Sequence, residues 1–389
     1  MKICILSTSY PRSKDDYWVP FMHSWARELA KTEDVIVVTS AGPGTKNYEV
    51  RDNVKIYRFN YFCPRNLQKL TYSGGMRESF KHELLPRIQA PFFMLSFLIK
   101  SLKVAKDCDV INAHWVLSGL VALPVRMLCN KPIVLTEHGG SIRGLPKWLN
   151  KFVFKRMDMT TSAHYDMIEE IKKMGINKVT DIKNFLDEEK FLRKHDKKLI
   201  RNKLKINNES IVAFIGRFEE LKDPLTFVEA IPHAIKKIKN VKFIMVGDGH
   251  LKEDIKNKIK ELNIEKHIIM PGPTSNVDDY LAISDIFIAC SATENCFSTT
   301  ILESMLSKVP CMITKAGMTE KFFVDKQDAY LVEKKNPEML GFAIADLLKN
   351  KKLREKLSQN GLKFLDRDGF RNKIIREKIM KVLNDVRQA

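Results

Sequence analysis

Short apolar runs alternate with amphipathic helical patterns along the whole chain. Runs rich in β-branched residues indicate strands of parallel sheets that are covered on both faces. Apolar residues at spacings of three and four indicate helices between those strands. The first half predicts strands at Lys2–Ser7, Asp34–Thr39, Val54–Phe59, Asp109–Ala113, Pro132–Thr136 and Met159–Ala163. The second half predicts them at Ile211–Ile215, Val241–Val246, His267–Met270, Ile286–Ala289, Pro310–Thr314 and Ala329–Val332.

This alternation predicts an α/β protein with two domains. It restarts at Ile211, after a polar stretch rich in Lys and Asn, and 389 residues are enough for two domains of ordinary size. We predict an N-terminal Rossmann-like domain over residues 1–192, a linker over 193–210 and a C-terminal Rossmann-like domain over 211–370. Residues 371–389 are expected to form a helix that packs back toward the N-terminal domain. Ligands of such sheets bind beyond the carboxyl ends of the strands, so chemistry is expected there, in a central cleft between the domains.

The net charge of +19 is the unusual feature of the composition. Residues 51–106 contain 11 Lys and Arg against 3 Asp and Glu, and residues 351–389 contain 12 against 5. A basic surface can serve nucleic acid, an anionic membrane or a phosphorylated substrate, and a Lys-rich solvated surface explains the charge equally well. No zinc-finger, RNA-binding or helix-turn-helix pattern is present, so no nucleic-acid partner is expected.

Targeting and redox features predict a reduced, cytoplasmic protein. We find no run of the roughly 18–20 apolar residues that a spanning helix needs, and the N-terminus is too quickly polar for a secretory signal. The 7 cysteines include no C-x-x-C pair, which disfavours a disulfide framework or a zinc site. The apolar run at residues 92–99, followed by Lys100, Lys103 and Lys106, fits either a helix buried against the sheet or a segment in an anionic membrane interface.

In the second half, cations and acids follow two predicted strands. Gly216 and Arg217 follow the strand at Ile211–Ile215, and Lys222 lies five residues further on. A glycine allows close backbone approach, and two cations can hold a diphosphate; two solvated cations beside a turn are the plain alternative. A second group follows the strand at Ile286–Ala289, where a predicted helix N-terminus offers backbone N–H groups to a phosphate and acids could bond sugar hydroxyls. Its members are Glu294, Asn295, Ser298, Thr299 and Glu303.

In the first half, two histidines lie at strand ends of the same predicted sheet. His114 follows the strand at Asp109–Ala113, and His138 follows the strand at Pro132–Thr136. A single histidine there is more often structural, but two of them make a functional role about equally plausible. No third ligand has suitable spacing, so no metal site is expected. The D-x-D sequences that begin at Asp107 and Asp366 are interpreted as chance matches. From these residues alone, the prediction is a two-domain α/β enzyme with a phosphorylated ligand.

Taken together, these motifs resemble glycosyltransferase family 4, whose members have the GT-B fold of two Rossmann-like domains facing across a cleft. The strongest matches are residues 211–222, similar to the F-x-G-R-x4-K segment of the family, and residues 286–314, similar to its S-x-x-E…LE-x-M segment. Weaker matches are residues 7–11, 109–115, 136–140 and 183–187. The order and spacing of the motifs cover nearly the whole chain.

The resemblance implies a role for each matching residue. Arg217 and Lys222 would hold the diphosphate of a nucleotide-sugar donor, in place of a metal. Glu303 would bind the ribose hydroxyls, and Glu294 would contact the donor sugar. His138 would lie at the transferred sugar. The resemblance therefore implies no cofactor and no metal, and a nucleotide-diphospho-sugar as donor.

Three departures from the family pattern affect these assignments. Residues 15–19 replace the Gly-rich loop that the family has after its first strand, which leaves the acceptor-side and phosphate-side contacts there open. The family places seven residues between its two acids, whereas eight separate Glu294 from Glu303. Counting back from Glu303 puts Asn295 at the first position; a one-residue insertion in the loop would restore Glu294. In addition, the glycine that usually follows the lysine of the family is Asp223 here.

We therefore expect a retaining glycosyltransferase of the hexosyltransferase type, acting on a glycan or lipid-linked acceptor. It would be cytoplasmic, and the apolar run at residues 92–99 leaves open whether it also associates peripherally with an anionic membrane. Two alternatives remain: a GT-B relative with other sugar-nucleotide chemistry, such as epimerisation, and a catalytically inactive sugar-binding protein.

Overall fold

The computed structural model describes residues 1–14, 16, 19–68, 70–71, 84–138, 141–291, 298–317 and 319–389. These residues form two compact units, each built on a sheet whose strands are all or mostly parallel. The first unit contains Met1–Phe185 together with Asn372–Ala389, and the second contains Leu186–Arg371. The prediction of two α/β domains is confirmed.

The first unit has an eight-stranded sheet. Its strands are β1 (Lys2–Ser7), β2 (Asp34–Ser40), β3 (Tyr48–Arg51), β4 (Val54–Phe59), β5 (Val110–His114), β6 (Ile133–Glu137), β7 (Met159–Ser162) and β8 (Val179–Asp181). They lie in the order β3-β4-β2-β1-β5-β6-β7-β8, and only the β3–β4 pair is antiparallel. The helices along this part of the chain are α1 (Pro20–Leu29), α2 (Leu84–Ala105), α3 (Val116–Cys129), α4 (Ser141–Gly144), α5 (Lys147–Phe154) and α6 (Tyr165–Lys173), with a 3-10 turn at Arg65–Leu67.

Both faces of this sheet are covered along its central strands. Alternate residues of a strand point to opposite faces, and in these strands both sets are buried. In β1, Cys4 and Leu6 join the apolar cluster that contains α2, while Ile3 and Ile5 join the cluster that contains α1. Each large apolar side chain buried in this way contributes about 1.5–3 kcal/mol. The apolar side chains within the strands therefore stabilise the fold by packing.

The second unit has a six-stranded sheet in which every pair of neighbours is parallel. Its strands are β9 (Ser210–Ile215), β10 (Val241–Val246), β11 (Ile268–Gly272), β12 (Ile286–Ala289), β13 (Cys311–Thr314) and β14 (Tyr330–Val332), in the order β11-β10-β9-β12-β13-β14. Its helices are α7 (Glu188–Leu192), α8 (Lys197–Lys203), α9 (Pro224–Lys237), α10 (Lys252–Glu261), α11 (Val277–Ala282), α12 (Thr299–Leu306), α13 (Thr319–Phe322), α14 (Pro337–Lys349) and α15 (Lys351–Arg367), with 3-10 turns at Glu220–Lys222 and Glu265–His267.

The chain passes between the units at different residues from those the sequence predicts. The first unit ends at Phe185 rather than at residue 192, and the stretch predicted as a linker, 193–210, belongs to the second unit. Part of that stretch is helix α8, whose N-terminus is capped by Asp196 through a 3.0 Å bond from the Leu199 N–H. Its polar composition reflects an exposed short helix, because capping and packing of a few apolar residues suffice to order it.

The final helix, α16 (Asn372–Gln388), is part of the first unit. Its apolar residues Ile375, Ile379 and Leu383 are buried in the same cluster as Trp25 of α1. An ion pair of 2.9 Å joins Arg376 to Glu28, whose side chain is only 1% exposed. Lys31 also pairs with Glu28, at 2.7 Å, so two cations compensate the buried carboxylate, and one of them ties α16 to α1.

Helix α2 corrects one sequence expectation. By length and composition it is long and apolar enough to cross a membrane, although we found no such run in the sequence. The difference arises because Arg87, Lys100 and Lys103 interrupt the apolar residues without lowering the mean hydropathy of the helix enough to exclude it. One face of α2 is buried in the first unit, where the ring of Phe97 stacks on Phe59 with centroids 4.9 Å apart. The core helix of a soluble protein passes the same test.

Close packing of α9 against α14 generates a prediction about Gly341. A Cβ atom on Gly341 would lie 2.4 Å from the Ala230 carbonyl oxygen and 2.5 Å from the His233 Cβ. Gly341→Ala should therefore force the two helices apart and lower the free energy of unfolding by about 1–3 kcal/mol. Gly361→Ala in α15 is the matched control: its Cβ would meet only the flexible Met305 side chain, at 3.0 Å, while helix propensity improves. Chemical denaturation measures both; equal effects would contradict the prediction.

Candidate functional site

In the second unit, the segment after β9 brings the predicted phosphate-binding residues to one edge of the sheet. The Gly216 N–H donates to the Val246 carbonyl at 3.0 Å, which holds the ends of β9 and β10 together. The neighbouring Arg217 is 64% exposed, and its guanidinium lies 2.9 Å from Glu219. Gly247 must remain glycine for this arrangement, because a Cβ there would lie 1.9 Å from the Gly216 carbonyl oxygen. The V-G-D-G turn after β10 thus supports the segment by close backbone packing.

Lys222 reaches the start of α12. Its Nζ donates to the Ser298 hydroxyl at 3.2 Å, and Ser298 is the residue immediately before Thr299, the first residue of that helix. The Ser298 side chain does not cap the helix; its hydroxyl lies 3.1 Å from that of Thr300. The Lys222 ammonium and the N-terminal backbone N–H groups of α12 therefore converge on one place, which is an arrangement that binds anionic groups.

Asp223 explains one departure from the family pattern. Its φ of 46° and ψ of 53° lie in the left-handed region, which glycine adopts without strain. Here the buried carboxylate compensates: it accepts from the Thr226 hydroxyl at 2.8 Å and pairs with Lys335, also at 2.8 Å. Lys335 follows β14, and no local sequence pattern connects it to residue 223.

Glu303 lies on α12 within a group of charged side chains. Burial raises the pKa of its carboxyl from 4.5 to about 7; the nearby Lys190 opposes the rise, and Asp187 and Asp278 add to it. Such a carboxyl changes its charge near neutral pH. The sequence located this acid but gave no sign of its electrostatic surroundings, because Lys190 and Asp278 lie far from it along the chain.

Two candidate residues cannot be placed. Glu294 and Asn295 lie at positions 292–297, outside the described residues. The described part of this loop ends at Ser291, whose N–H donates to the Thr314 hydroxyl at 2.7 Å and whose own hydroxyl donates to the Leu221 carbonyl at 3.0 Å. The choice between Glu294 and Asn295 as the first acid therefore stays a prediction.

In the first unit, the two predicted histidines are in direct contact. His114 is the last residue of β5, and His138 follows β6, the neighbouring strand. The distance from His114 Nδ1 to His138 Nε2 is 2.7 Å, and His138 Nδ1 lies 3.0 Å from Asn184 Oδ1. Aromatic rings enclose His138: Phe21, Trp25 and Trp115 have ring centroids 4.9, 5.8 and 5.3 Å from it.

Burial lowers the pKa of both imidazoles, so both are neutral at neutral pH. Burial lowers the pKa of His114 well below its ordinary value, and the neighbouring His138 lowers it further. Burial also lowers the pKa of His138 to about 3; His164 adds to this effect and the bond to Asn184 opposes it. Neither histidine carries a charge near pH 7.

Among the described residues, one group of side chains has the composition and spacing of a metal site: His195, Asp278 and Asp279. Cations already neutralise its buried acid, since Arg193 lies 2.6 Å and Lys190 3.7 Å from the Asp278 carboxylate. His195 lies 2.9 Å from Asp279. The donor set is therefore that of a salt-bridge network that ties α11 to the segment after α7.

Comparison with known proteins gives consistent matches over both units. The family model described as "Glycosyltransferase Family 4" matches residues 20–190, and the model described as "Glycosyl transferases group 1" matches residues 196–364. N-acetyl-alpha-D-glucosaminyl L-malate synthase of Bacillus anthracis is 26% identical over 283 residues, covering 70% of this chain and 74% of the relative.

A relative from Campylobacter jejuni is matched over nearly its full length. It is the GalNAc-alpha-(1->4)-GalNAc-alpha-(1->3)-diNAcBac-PP-undecaprenol alpha-1,4-N-acetyl-D-galactosaminyltransferase, 25% identical over 364 residues, covering 91% of this chain and 95% of the relative. Among solved structures, Anabaena HepE in complex with UDP-glucose is 16% identical, with a TM-score of 0.74, covering 99% of this chain and 100% of that one.

The two α/β units and the solved structures similar to them over nearly the whole chain show the GT-B fold, and the family matches show a glycosyltransferase. The chain belongs to glycosyltransferase family 4, as its motifs predicted. The fold, the family and the enzyme class expected from the sequence are confirmed.

The raised pKa of Glu303 predicts how stability depends on pH. The folded protein holds a proton on this carboxyl up to pH 7 that the unfolded chain releases near pH 4.5, so ionisation destabilises the fold as the pH rises between these values. Glu303→Gln should therefore raise the free energy of unfolding by about 1–3 kcal/mol at pH 8. The difference should vanish near pH 4.5. Denaturant titrations at several pH values measure it, and a pH-independent difference would contradict the assignment.

Proposed function

We propose that this enzyme transfers a sugar from a nucleotide-diphospho-sugar to a lipid-linked or glycan acceptor, with retention at the anomeric carbon and without a metal ion. The observation that carries the proposal is the Lys222 ammonium at the N-terminus of α12, 3.2 Å from the Ser298 hydroxyl. The diphosphate of a donor needs such a combination of a fixed cation and free N–H groups. The HepE structure with UDP-glucose supports a nucleotide-sugar donor, and the undecaprenol-linked substrate in the name of the Campylobacter relative supports a lipid-linked acceptor.

In the proposed reaction, negative charge develops on the departing nucleoside diphosphate. Arg217, Lys222 and the first N–H groups of α12 stabilise that charge because they are held in place before the reaction begins. Ionised Glu303 accepts bonds from the ribose hydroxyls. Glu294 contacts the donor sugar, with Asn295 as the alternative at that position. These roles follow from the match to the family motif.

Removing either cation tests the diphosphate site. Arg217→Ala and Lys222→Ala should each lower kcat/KM by an amount equivalent to about 2–4 kcal/mol, without loss of fold. Lys356→Ala, which removes an exposed cation from α15, is the matched control and should keep full activity. Labelled donors measure transfer; EDTA should leave it unchanged, and strong metal dependence would contradict the proposed mechanism.

The same assay separates the alternatives. Release of an isomerised donor nucleotide would favour an epimerase, whereas binding of the donor without turnover would favour an inactive sugar-binding protein. Activity within threefold of the unsubstituted enzyme for both alanine variants would contradict the diphosphate assignment.

A lipid-linked acceptor requires the enzyme to work at a membrane, and we propose that α2 makes this contact. Its buried face holds Phe93 and Phe97 in the core, so the helix cannot leave the unit to span a bilayer without unfolding it. Its opposite face exposes an apolar stripe at spacings of three and four residues, and Lys103 and Lys106 are exposed at its C-terminal end. The stripe consists of Leu84, Ile88, Phe92, Leu95 and Ile99. Exposed apolar residues next to cations fit an anionic membrane interface.

Further apolar side chains are exposed on neighbouring helices. Met127 and Leu128 are exposed at the end of α3, which packs on α2, and Trp148 is exposed on α5, which packs on α3. Tryptophan is the residue most suited to the boundary between lipid and water, because its ring is apolar and its N–H remains polar. The proposed contact is thus broader than one helix.

Vesicle binding tests this contact. The full-length protein should bind anionic vesicles, less strongly as salt rises, and should not bind neutral ones. Phe92→Glu combined with Leu95→Glu should abolish binding while transfer to a soluble acceptor continues. Met339→Glu is the control, because Met339 in the second unit is 57% exposed and Leu95 is 56% exposed. Failure to bind anionic vesicles at low salt would refute the membrane contact alone.

A further inference from the structure

Five side chains of the first unit form one continuous chain of hydrogen bonds. It begins at Trp25 Nε1, which donates to Asn112 Oδ1 at 3.1 Å, and His114 Nε2 lies 3.0 Å from the same oxygen. It continues through the 2.7 Å contact from His114 Nδ1 to His138 Nε2 and ends at Asn184, 3.0 Å from His138 Nδ1. The donors and acceptors along this chain can be assigned one after another.

The orientation of the Asn112 amide comes first. An indole N–H can only donate, so the atom of Asn112 that faces Trp25 must be the amide oxygen. The other end of the amide agrees: Nδ2 donates to the Val134 carbonyl at 3.2 Å and to the Thr136 hydroxyl at 2.9 Å. A rotated amide would place its NH2 group against the indole N–H and its oxygen against a carbonyl. The residue is fully buried, so neither conflict could be relieved by water.

This orientation fixes the tautomer of His114. Its Nε2 faces the Asn112 oxygen and must therefore carry the proton. A neutral imidazole has one N–H group, so Nδ1 of His114 is an acceptor. The two histidine rings are nearly coplanar, at 10°, with centroids 5.0 Å apart, and the close contact joins ring edges rather than ring faces. The short contact is thus a hydrogen bond in the plane of both rings.

The same logic extends to His138. Its Nε2 must donate to His114, so the proton of the neutral ring lies on Nε2 and the lone pair lies on Nδ1. The Asn184 atom placed 3.0 Å from this lone pair is Oδ1, which cannot donate. A neutral His138 with its proton on Nε2 therefore requires the Asn184 amide rotated from this placement, so that its NH2 group donates to Nδ1. The oxygen faces Nδ1 when that nitrogen carries a proton. The orientation of the Asn184 amide therefore depends on whether His138 Nδ1 carries a proton.

We propose that Trp25, Asn112 and His114 are positioning residues, which hold His138 as its Nε2–H tautomer and leave Nδ1 as the acceptor for Asn184 or for a sugar hydroxyl. The tautomer follows from the hydrogen bonds between rings that burial keeps neutral. The role in transfer rests on the proposed function and on the family resemblance, which implies that His138 lies at the transferred sugar.

The backbone at Trp115 is strained next to this chain. Its φ of 66° is uncommon for a residue with a Cβ atom, and such conformations cost about 1–3 kcal/mol. The strained residue places its indole ring 5.3 Å from the His138 ring. Together with Phe21 and Trp25 it encloses His138 in aromatic rings, so the hydrogen bonds to His114 and Asn184 are the ones that orient the ring.

Nitrogen-15 NMR of histidine-labelled full-length protein tests the tautomer directly, because the two ring nitrogens give different shifts when protonated or not. In the unsubstituted protein, His114 and His138 should both be neutral Nε2–H tautomers from pH 6 to pH 8. His114→Leu removes the acceptor for His138 Nε2, and His138 should shift toward the Nδ1–H tautomer, donating to Asn184 Oδ1. His114→Asn supplies an amide oxygen near the lost Nδ1 and should preserve the original tautomer.

Kinetics test the role in transfer. His114→Leu should lower kcat by about 10- to 100-fold with little change in KM for the donor, and His114→Asn should restore most of the activity. Trp25→Phe, which removes the indole N–H together with the five-membered ring but keeps an aromatic ring, is the second variant if His114→Leu does not fold, and it should produce a mixture of His138 tautomers. His233→Leu, in the second unit, is the control and should change neither tautomer nor kcat.

The outcomes separate the claims. A Nδ1–H tautomer of His138 in the unsubstituted protein would overturn the proposal. A shifted tautomer with unchanged kcat would overturn the positioning role. Absence of transfer from every donor would refute the proposed function, while the NMR result would still decide the tautomer.

Discussion

Burial of both faces of each sheet is the constraint from which the rest of the molecule follows. A strand that is covered on both sides carries mostly apolar residues along its length, and a ligand can reach its polar chemistry only beyond its carboxyl end. His114 and His138 lie at the ends of β5 and β6, and Gly216 and Ser291 lie at the ends of β9 and β12. In both units, the residues assigned to the site therefore lie at or just beyond the carboxyl ends of strands.

Buried polar groups in and near these strands have hydrogen-bond or ion-pair partners, because a buried polar atom without a partner costs about 1–3 kcal/mol. Asn112 illustrates this in the middle of β5, where the Trp25 N–H donates to its amide oxygen and its NH2 group donates to the Val134 carbonyl and the Thr136 hydroxyl. Asp223 illustrates it after β9, where a carboxylate in a backbone conformation suited to glycine is held by Lys335 and Thr226. In each case, the pairing that orders the site also removes a penalty of burial.

The sequence was sufficient for elements whose apolar runs are long and uniform. The strands predicted from Lys2 to Thr136 and from Ile211 to Val332 all occur, because burial on both faces leaves a continuous apolar run. The edge strands β3 and β8 were not predicted: they are three or four residues long and lack such a run. Helix α8 was missed because a single capping aspartate and a few apolar contacts order it.

For the site, the sequence located residues but not their environments. The closeness of His114 and His138 follows from adjacent parallel strands, once their order in the sheet is known. The pairing of Asp223 with Lys335, 112 positions away, and the partners that set the charge of Glu303 depend on tertiary packing. Such long-range pairs leave no periodic trace in a single sequence.

The position of α16 has a consequence for the order in which the protein is completed during synthesis. The second unit is a continuous segment, Leu186–Arg371, and all of its residues exist before any residue of α16 is made. The first unit contains the start of the chain, yet the face that includes Trp25 remains uncovered until Ile375, Ile379 and Leu383 are synthesised. Domains usually finish folding from the N-terminus onward as the ribosome proceeds. In this chain the second unit is the first whose residues have all been synthesised, and the first unit is completed only when α16 has been synthesised.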